Sequence, residues 1–532
     1  MNPGAPEPMK FASLSDDRLQ QLAEESKHLG NDELALDLIQ EASRRHPAHP
    51  GILLEKVKCL HRLRRAGEAE PIIDKLRGML AVEPALIDQL GEELQKIGAF
   101  DAATACFRQL HADSRPLVKA VAGSRLAALS LRSGRRDEAA SRLEEAERSA
   151  PHIPEVRAMR ARLCRHEDPA AARHILMDLM RHHPSLPQPF RASCAYLLGS
   201  VCDDMDLPGE AMDALRGAKA IEAAYPLASL FRRQRPGWRR WHTEANRFTS
   251  EDARRWHADA SRIPSPAHAF LLGHPRSGTT LLEQMLDAHP GLSSIEESDL
   301  YSKRIDAALV RRHEQDSPTS DFGSWVRERA DSELMDLRED YFLRLSAESA
   351  KSSSGMHLLD KNPGLTVSIG RIARTLPGSA LIFMLRDPRD VCLSAYFQQT
   401  DPTPWSVNWL TLEETVDQYL FAMTAWLDLR QKLAQPFIEI RYEDLIARPI
   451  ESAQSATHFL GLDWHESQAD PAAHAITRFV KSPTHQQVLK PIHSRSVGRW
   501  QRYAAWIKPH EARLRPLLEA FGYPVTSNAK RS

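Results

Sequence analysis

The chain has 532 residues, a formal net charge of −1, 42% apolar residues and 27% charged residues. This length exceeds one ordinary core, so we expect at least two domains, and the composition is that of a globular protein. The near-zero charge argues against a general nucleic-acid binder, and no apolar run reaches the ~20 residues of a membrane span. Six cysteines without a CxxC pair, and a polar start without a signal-peptide core, favour a cytoplasmic protein with reduced thiols.

A frame recurs six times in the first 225 residues. A loop position is followed by small or apolar residues at +5, +9 and +12 and usually by Pro at +17, as in Gly134, Ala139, Leu143, Ala146 and Pro151. The frames start at positions 30, 67, 98, 134, 167 and 206, which are 31 to 39 residues apart. The pattern resembles tetratricopeptide repeats, in which small residues let helices approach and Pro ends the second helix. We therefore predict a flexible N-terminus over 1–12 and a tetratricopeptide-like α-solenoid over 13–225.

The repeat pattern encodes helix packing and leaves the role of the solenoid open. One hypothesis is a concave surface that binds a protein or peptide acceptor. The alternative is a scaffold, or an element that assembles identical subunits into a homo-oligomer.

A basic, tryptophan-containing segment follows, which we interpret as a link over 226–264. It contains RRQRPGWRRW and ends near the Pro264/Pro266 pair. Its arginines could grip an anion. The favoured interpretation is a helix that packs its tryptophans between domains and leaves its arginines in solvent.

From residue 265 the pattern changes to an α/β domain with a parallel sheet. Short apolar runs at 269–273, 380–386 and 437–442 are typical of buried parallel strands, and helical patterns separate them. Each run ends on polar residues, and ligands of such sheets bind at the carboxyl ends of the strands. We predict this P-loop-like α/β domain over 265–525 and a short tail over 526–532.

The run LLGHPRSGTTLLEQMLDAHP predicts an anion-binding loop between the first strand and a helix. The spacing from Gly273 to Gly278 matches the first part of the P-loop motif of nucleotide hydrolases. Thr279 stands at the position of the hydrolase lysine, and Arg276 lies inside the loop. The loop should hold an anion, but not as an ordinary Mg-ATP hydrolase does.

A second anion site is indicated by LRDPRDVCLSAY, at the end of the second strand. Arg386 leaves the strand, Asp387 and Pro388 signal another helix start, and Ser394 follows about two helical turns after Arg386. An Arg and a hydroxyl at such a position suit a phosphate. The alternative is an Arg that only pairs with Asp387 or Asp390.

Together, PRSGTTLLEQMLDAHP and RDPRDVCLSAY resemble the 5′-phosphosulfate loop and the 3′-phosphate motif of the sulfotransferase family. The resemblance covers about 265–525. It is greatest to the tyrosylprotein branch and to bacterial relatives that carry tetratricopeptide repeats. It implies 3′-phosphoadenosine 5′-phosphosulfate as the donor co-substrate, and no metal.

The resemblance also implies individual roles. Arg276 would cradle the 5′-phosphosulfate, Lys361 would stabilise the transferring sulfuryl group, and Glu297 would be the general base. Thr484 falls at the active-site serine of the family, and Arg499 at a family lysine. The remaining implied donor contacts are Ser277, Gly278, Thr279, Thr280, Arg386, Arg389, Ser394 and Tyr442.

These residue types suit an in-line transfer to a hydroxyl. Arg276 and Lys361 would offset negative charge, and one carboxylate would accept the proton of the acceptor. Without the family spacing, Glu296 and Glu297 would be surface acids near a helix start, and Lys361 a solvated lysine. Glu296 is the second choice of base.

The acceptor is less clearly indicated. In the tyrosylprotein branch Thr-Arg follows the acidic pair and that Arg reads acidic peptides, whereas here Ser298 and Asp299 follow. The sequence therefore predicts a sulfotransferase acting on a hydroxyl, with protein tyrosine as one option. The competing hypotheses are a P-loop nucleotide kinase or NTPase with a degenerate loop, and a non-catalytic repeat scaffold.

Overall fold

The computed structural model describes residues 11–28, 32–63, 65–81, 83–260, 266–349, 351, 355–470 and 494–525. The chain forms two compact units. The first contains Met1–Leu163 and Ser302–Ala307, and the second contains Cys164–Tyr301 and Ala308–Ser532. The predicted boundary at 225/226 marks where the repeat frame ends, whereas the compact units divide earlier, between Leu163 and Cys164.

The chain up to Cys164 is helical wherever it has regular structure among the described residues. Most neighbouring helices pack on one another, as expected of a repeat. Their bounds are α1 Asp16–His28, α2 Asp32–Arg45, α3 Pro50–Arg62, α4 Ala66–Met79, α5 Pro84–Lys96, α6 Phe100–His111, α7 Pro116–Arg132, α8 Arg136–Ser149 and α9 Pro154–Cys164.

The recurring frame corresponds to the second helix of successive pairs. In α8 its three positions, Ala139, Leu143 and Ala146, are all fully buried. The frame starts Gly98 and Gly134 have φ of 85° and 74°, a left-handed conformation that glycine adopts readily between helices. The predicted helix pairs are therefore present, and their assignment to the tetratricopeptide class stays a prediction.

Five more helices precede the sheet and belong to the second unit. They are α10 Pro169–His182, α11 Gln188–Asp204, α12 Pro208–Ala223, α13 Pro226–Ala245 and α14 Ser250–Ala260. Helices α11 and α12 share one apolar cluster with Leu393, which lies between β4 and β5, and with residues near the C-terminus. Its members include Ala195, Leu215, Leu393, Trp500 and Ile507. The last repeat-type helices are thus part of the core that supports the α/β region.

Among the described residues the sheet contains five parallel strands, in the order β2-β3-β1-β4-β5. Their bounds are β1 His268–Gly273, β2 Leu292–Glu296, β3 His357–Lys361, β4 Ala380–Leu385 and β5 Phe437–Arg441. The helices among and after them are α15 Thr279–Asp287, α16 Ala307–Asp316, α17 Phe322–Glu328, α18 Met335–Glu348, α19 Ile369–Thr375, α20 Pro388–Tyr396, α21 Leu412–Leu429, α22 Tyr442–Ala447, α23 Pro449–Phe459 and α24 Ala504–Ala520.

The predicted α/β fold with a parallel sheet is confirmed. The three predicted strands correspond to β1, β4 and β5, and β1 occupies the centre of the sheet. All strands are parallel, so their carboxyl ends meet at one edge. The polar residues that follow the strands therefore lie at that edge, as the sequence predicted.

The predicted link over 226–264 contains helices α13 and α14, and two of its arginines differ from the prediction. Trp238 packs against Trp405 with ring centroids 6.0 Å apart, which agrees with the expected packing. Arg232 and Arg235, however, both pair with Glu414, at 2.7 and 3.0 Å. They are not simply solvated, because a carboxylate from α21 faces them.

Candidate active site

The anion loop lies between β1 and α15, and two glycines shape it. Gly273 has a φ of 132°, and a Cβ there would stand 2.6 Å from the carbonyl oxygen of Met384 on β4. Gly278 has a φ of 94°, and a Cβ there would stand 2.4 Å from Cδ2 of Tyr442. Only glycine fits both positions, so the chain can turn tightly into the N-terminus of α15.

The hydroxyl residues of the loop lie where the helix begins. Thr279 and Thr280 are the first two residues of α15, and Ser277 directly precedes Gly278. All three side chains are buried. The predicted cradle residues are thus brought together in one turn whose helix N-terminus favours an anion.

Arg276 joins the first anion site to the second. Its Nε donates a hydrogen bond to Oγ of Ser394 on α20 at 3.3 Å. Nη1 of Arg386 donates to the carbonyl oxygen of Arg276 at 2.8 Å. The two predicted anion motifs are therefore in direct contact, although 110 residues separate the two arginines.

The charge balance at Arg276 favours an anionic ligand. Burial, together with the positive charge of Arg386, lowers the pKa of Arg276 to about 10, and Glu297 partly opposes the shift. Two guanidinium groups that repel each other in a partly buried site are stabilised by a bound anion.

Arg386 and Tyr442 form the floor of the second site. The Arg386 guanidinium lies 4.4 Å from the ring centroid of Tyr442, the first residue of α22. Its Nη2 donates to the carbonyl oxygen of Ser496 at 2.6 Å. The segment near Ser496 therefore reaches the second site from the C-terminal part of the chain.

Two predicted donor contacts are held by protein carboxylates. Arg389 is buried, pairs with Asp387 at 2.7 Å and Glu511 at 3.1 Å, and stacks 3.8 Å from the ring of Trp500. Its predicted contact with a 3′-phosphate would need a different rotamer. Arg499 pairs with Asp203 at 2.8 Å.

Lys361 ends β3 and is surrounded by glutamates. Its Nζ lies 3.1 Å from Glu297, 3.2 Å from Glu296 and 3.5 Å from Glu283. Burial lowers the pKa of Lys361, but the three carboxylates outweigh that effect and raise it above its ordinary value. The lysine is a fully buried cation at the carboxyl end of β3. It is not the solvated lysine that its sequence context alone suggested.

The two candidate bases differ in access. The Glu297 side chain is 42% exposed, whereas that of Glu296 is 7% exposed. The backbone of Glu297 is left-handed, with a φ of 45°, and its N–H donates to the carbonyl oxygen of Lys361 at 2.7 Å. Because of its greater exposure, Glu297 rather than Glu296 is open to an acceptor.

Several residues that shape the site were missed by the sequence analysis. Glu283 is a fully buried charge inside the apolar pattern of α15, which is a signal that the sequence did contain. Thr366 Oγ1 accepts from the N–H of Gly273 at 3.0 Å and donates to its carbonyl oxygen at 2.7 Å. Asp390 and Asp203 hold residues 498–503, and no local pattern indicates those contacts.

Thr484 lies outside the described residues. Within the described residues, no group of His, Cys, Asp and Glu side chains is arranged to hold a metal ion. Of the helices in the described ranges, none combines the length and apolar character that crossing a membrane requires.

Residues 266–466 match the family described as "Sulfotransferase family". Among curated proteins, protein-tyrosine sulfotransferase 2 of Gallus gallus is 24% identical over 275 residues, which cover 49% of this chain and 70% of that protein. An uncharacterized protein of Aquifex aeolicus is 24% identical over 347 residues, covering 63% of this chain and 43% of that protein. The Aquifex match thus covers less than half of the length of the Aquifex protein.

A solved structure of the sulfotransferase domain of the Synechococcus PCC 7002 olefin synthase is 22% identical to this chain. The match covers 45% of this chain and 89% of that domain, with a TM-score of 0.32.

Proposed function

We propose, from the match of residues 266–466 to the sulfotransferase family, that the chain transfers a sulfuryl group from 3′-phosphoadenosine 5′-phosphosulfate to a hydroxyl. The observation that carries the proposal is the contact between the two anion motifs. Arg276 bonds Ser394, and Arg386 bonds the backbone of Arg276. A donor with a 5′-phosphosulfate and a 3′-phosphate needs two such sites side by side.

The residues of the site fit the donor as follows. The turn from Ser277 to Thr280 and the guanidinium of Arg276 would hold the 5′-phosphosulfate. Arg386 and Ser394 would hold the 3′-phosphate, and Arg499 would complete that site from the C-terminal segment. Tyr442 would lie at the nucleotide, since its ring packs on both Gly278 and Arg386.

Glu297 accepts the proton of the acceptor hydroxyl in this mechanism. The acceptor oxygen bonds to sulfur as the bond from sulfur to the 5′-phosphate oxygen breaks, which yields a sulfate ester and adenosine 3′,5′-bisphosphate. Lys361 and Arg276 offset negative charge on the sulfuryl and leaving oxygens. Lys361 also holds the carboxylate of Glu297 in place, because its ammonium is 3.1 Å away.

The acceptor is a hydroxyl, and a tyrosine phenol in a protein or peptide is the one that we propose to test first. Support comes from relatives that are named protein-tyrosine sulfotransferases and match about half of this chain. The helical repeats of residues 13–225 would present such an acceptor. If they instead assemble identical subunits, truncated chains should change oligomeric state without changing acceptor use.

Nucleotide preference tests the donor assignment. Adenosine 3′,5′-bisphosphate should raise the unfolding temperature of the full chain far more than ATP with Mg²⁺ does, because only the former carries the two separated phosphates. Equal shifts would contradict the donor assignment and favour a nucleotide kinase or NTPase.

A substitution of Glu297 tests the assignment of the general base separately from the assignment of the donor. Glu297→Gln should bind adenosine 3′,5′-bisphosphate as the unmodified chain does and should lose transfer by about 10²–10⁴-fold, the range of a general base. Transfer is measured with labelled donor and a lysate as the source of acceptors. Retained transfer in Glu297→Gln would move the role of base elsewhere, first to Glu296.

A further inference from the structure

Asp203 near the end of α11 receives donors from three residues of one short helical turn. Its carboxylate is 2.8 Å from Nη2 of Arg499, 2.9 Å from Nη2 of Arg502 and 2.7 Å from the hydroxyl of Tyr503. The carbonyl oxygen of Asp203 accepts a fourth bond, from Nη1 of Arg502 at 3.0 Å. The Asp203 side chain is only 15% exposed, so these charge-assisted bonds are partly shielded from water.

The same turn continues from a segment that reaches the second anion site. We call residues 494–503 the C-terminal strap. Its Ser496 carbonyl oxygen accepts from Arg386, and its Gly498 and Trp500 N–H groups donate to Asp390 at 2.6 and 2.7 Å. The strap is therefore fixed to the site at one end and to Asp203 at the other.

Arg499 occupies a defined place between these anchors. Its guanidinium lies 4.0 Å from the ring centroid of Phe397, just beyond α20, while it pairs with Asp203. Its positive charge contributes to the lowered pKa of Arg276, so the two charges interact. The carboxylate of Asp203 beside Arg499 offsets part of the repulsion among the cations Arg276, Arg386 and Arg499.

We propose that Asp203 is a positioning residue for the donor, which orients Arg499 and holds the strap at the 3′-phosphate site. The proposal rests on the proposed function, since it concerns the same donor. It extends the site to α11, which lies outside the residues that match the family. A repeat-type helix of this chain would thus complete the nucleotide site of its α/β region.

The chain offers a matched control at the next residue. Asp204 also lies on α11 and also pairs with an arginine, Arg165, at 2.7 Å, but among the described residues it forms no hydrogen bond or ion pair with the strap. Asp203→Asn and Asp204→Asn therefore remove one carboxylate charge each from the same helical turn.

The experiment measures the dissociation constants of adenosine 3′,5′-bisphosphate and of adenosine 5′-monophosphate by calorimetry on full-length variants. Asp203→Asn should weaken the bisphosphate at least tenfold and the monophosphate less than twofold, because only the former has a 3′-phosphate. Asp204→Asn should change neither constant by more than twofold. An unchanged bisphosphate constant in Asp203→Asn, or equal losses for both nucleotides, would overturn the proposal.

Tyr503→Phe removes one of the bonds to Asp203 and keeps the ring, so it tests the proposal even if Asp203→Asn does not fold. It should weaken the bisphosphate about threefold and leave the monophosphate unchanged, and no selective weakening would count against the proposal. If the unmodified chain binds no bisphosphate, the proposed function itself fails. If it binds and the strap variants behave like it, only the role of Asp203 fails.

Discussion

Lys361 is a buried cation that pairs with three carboxylates, two of them buried. Lys361→Met removes the buried ammonium that Glu283 and Glu296 face, and breaking a buried ion pair in this way costs about 3–5 kcal/mol in comparable cases. The free energy of unfolding should fall by that amount at pH 8 in denaturant titrations.

The control for this change is Lys432→Met. Lys432 pairs with Asp428 on the exposed face near the end of α21, so its removal should cost less than about 1 kcal/mol. Similar losses for both lysines would mean that the Lys361 cluster contributes no more than a surface ion pair.

Gly278 combines a left-handed backbone with a tight contact. Gly278→Ala should lower the free energy of unfolding by about 1–3 kcal/mol through backbone strain and should weaken adenosine 3′,5′-bisphosphate, because the new Cβ displaces Tyr442. Thermal unfolding and calorimetry measure the two effects. Gly217→Ala, in an exposed stretch of α12 with no atom near the new Cβ, should instead be neutral or stabilising. Full nucleotide affinity in Gly278→Ala would contradict the predicted position of the loop ligand.

At the scale of elements, the contact between α20 and the C-terminal strap depends on pH. Burial raises the pKa of Asp390 to about 6, against an ordinary value of 3.8, while Arg386 opposes the shift. The folded chain thus holds this proton more tightly than the unfolded chain. The free energy of unfolding therefore falls by up to about 3 kcal/mol as pH rises from about 4 to about 6. Above pH 6 the contribution of Asp390 no longer changes.

Asp390→Asn makes this contribution measurable. The stability of the unmodified chain relative to the variant should fall between pH 4.5 and pH 7, as followed by denaturant unfolding at each pH. For Asp428→Asn, at an exposed position of α21, the curve of unfolding free energy against pH should run parallel to that of the unmodified chain. Parallel curves for Asp390→Asn as well would show that its carboxyl is not perturbed.

At the scale of the whole molecule, the second compact unit begins at Cys164. A chain of residues 164–532 should unfold cooperatively and bind adenosine 3′,5′-bisphosphate like the full chain. A chain that starts at 262 should aggregate or melt at a clearly lower temperature, because it lacks α11 and α12, which cover Leu393, Trp500 and Ile507. Equal melting temperatures for the two truncated chains would show that these helices are dispensable for the core.

Local sequence patterns predicted those elements whose buried positions follow a run or a regular spacing along the chain. The central strand β1, the loop glycines and the frame positions of α8 are examples, since each follows from apolar runs or fixed spacing. Strands β2 and β3 were missed because LSSIE and HLLDK contain buried polar residues. Ser294, for instance, is buried because its hydroxyl bonds Glu283 and its N–H bonds Asp287.

The contacts that the sequence did not reveal join distant residues. The burial of Lys361 depends on glutamates 64 and 65 positions away, and the bond from Arg499 to Asp203 spans 296 positions. No periodicity encodes such pairs, because the topology of the sheet and the return of the C-terminus create them. Arg276 and Arg386 were found because each follows a strand, and Ser394 because it lies two helical turns after Arg386.

Arg276 and Glu297 belong to the proposed active site, and both have a positive φ angle that lowers the stability of the folded chain. In L-residues this backbone conformation costs about 1–2 kcal/mol relative to the right-handed one, and glycine avoids that cost. Selection for heat resistance alone would therefore reward Arg276→Gly and Glu297→Gly, which delete a loop cation and the proposed base. A library designed to stabilise this protein should keep both positions fixed, because its most stable members would otherwise be enriched in inactive ones.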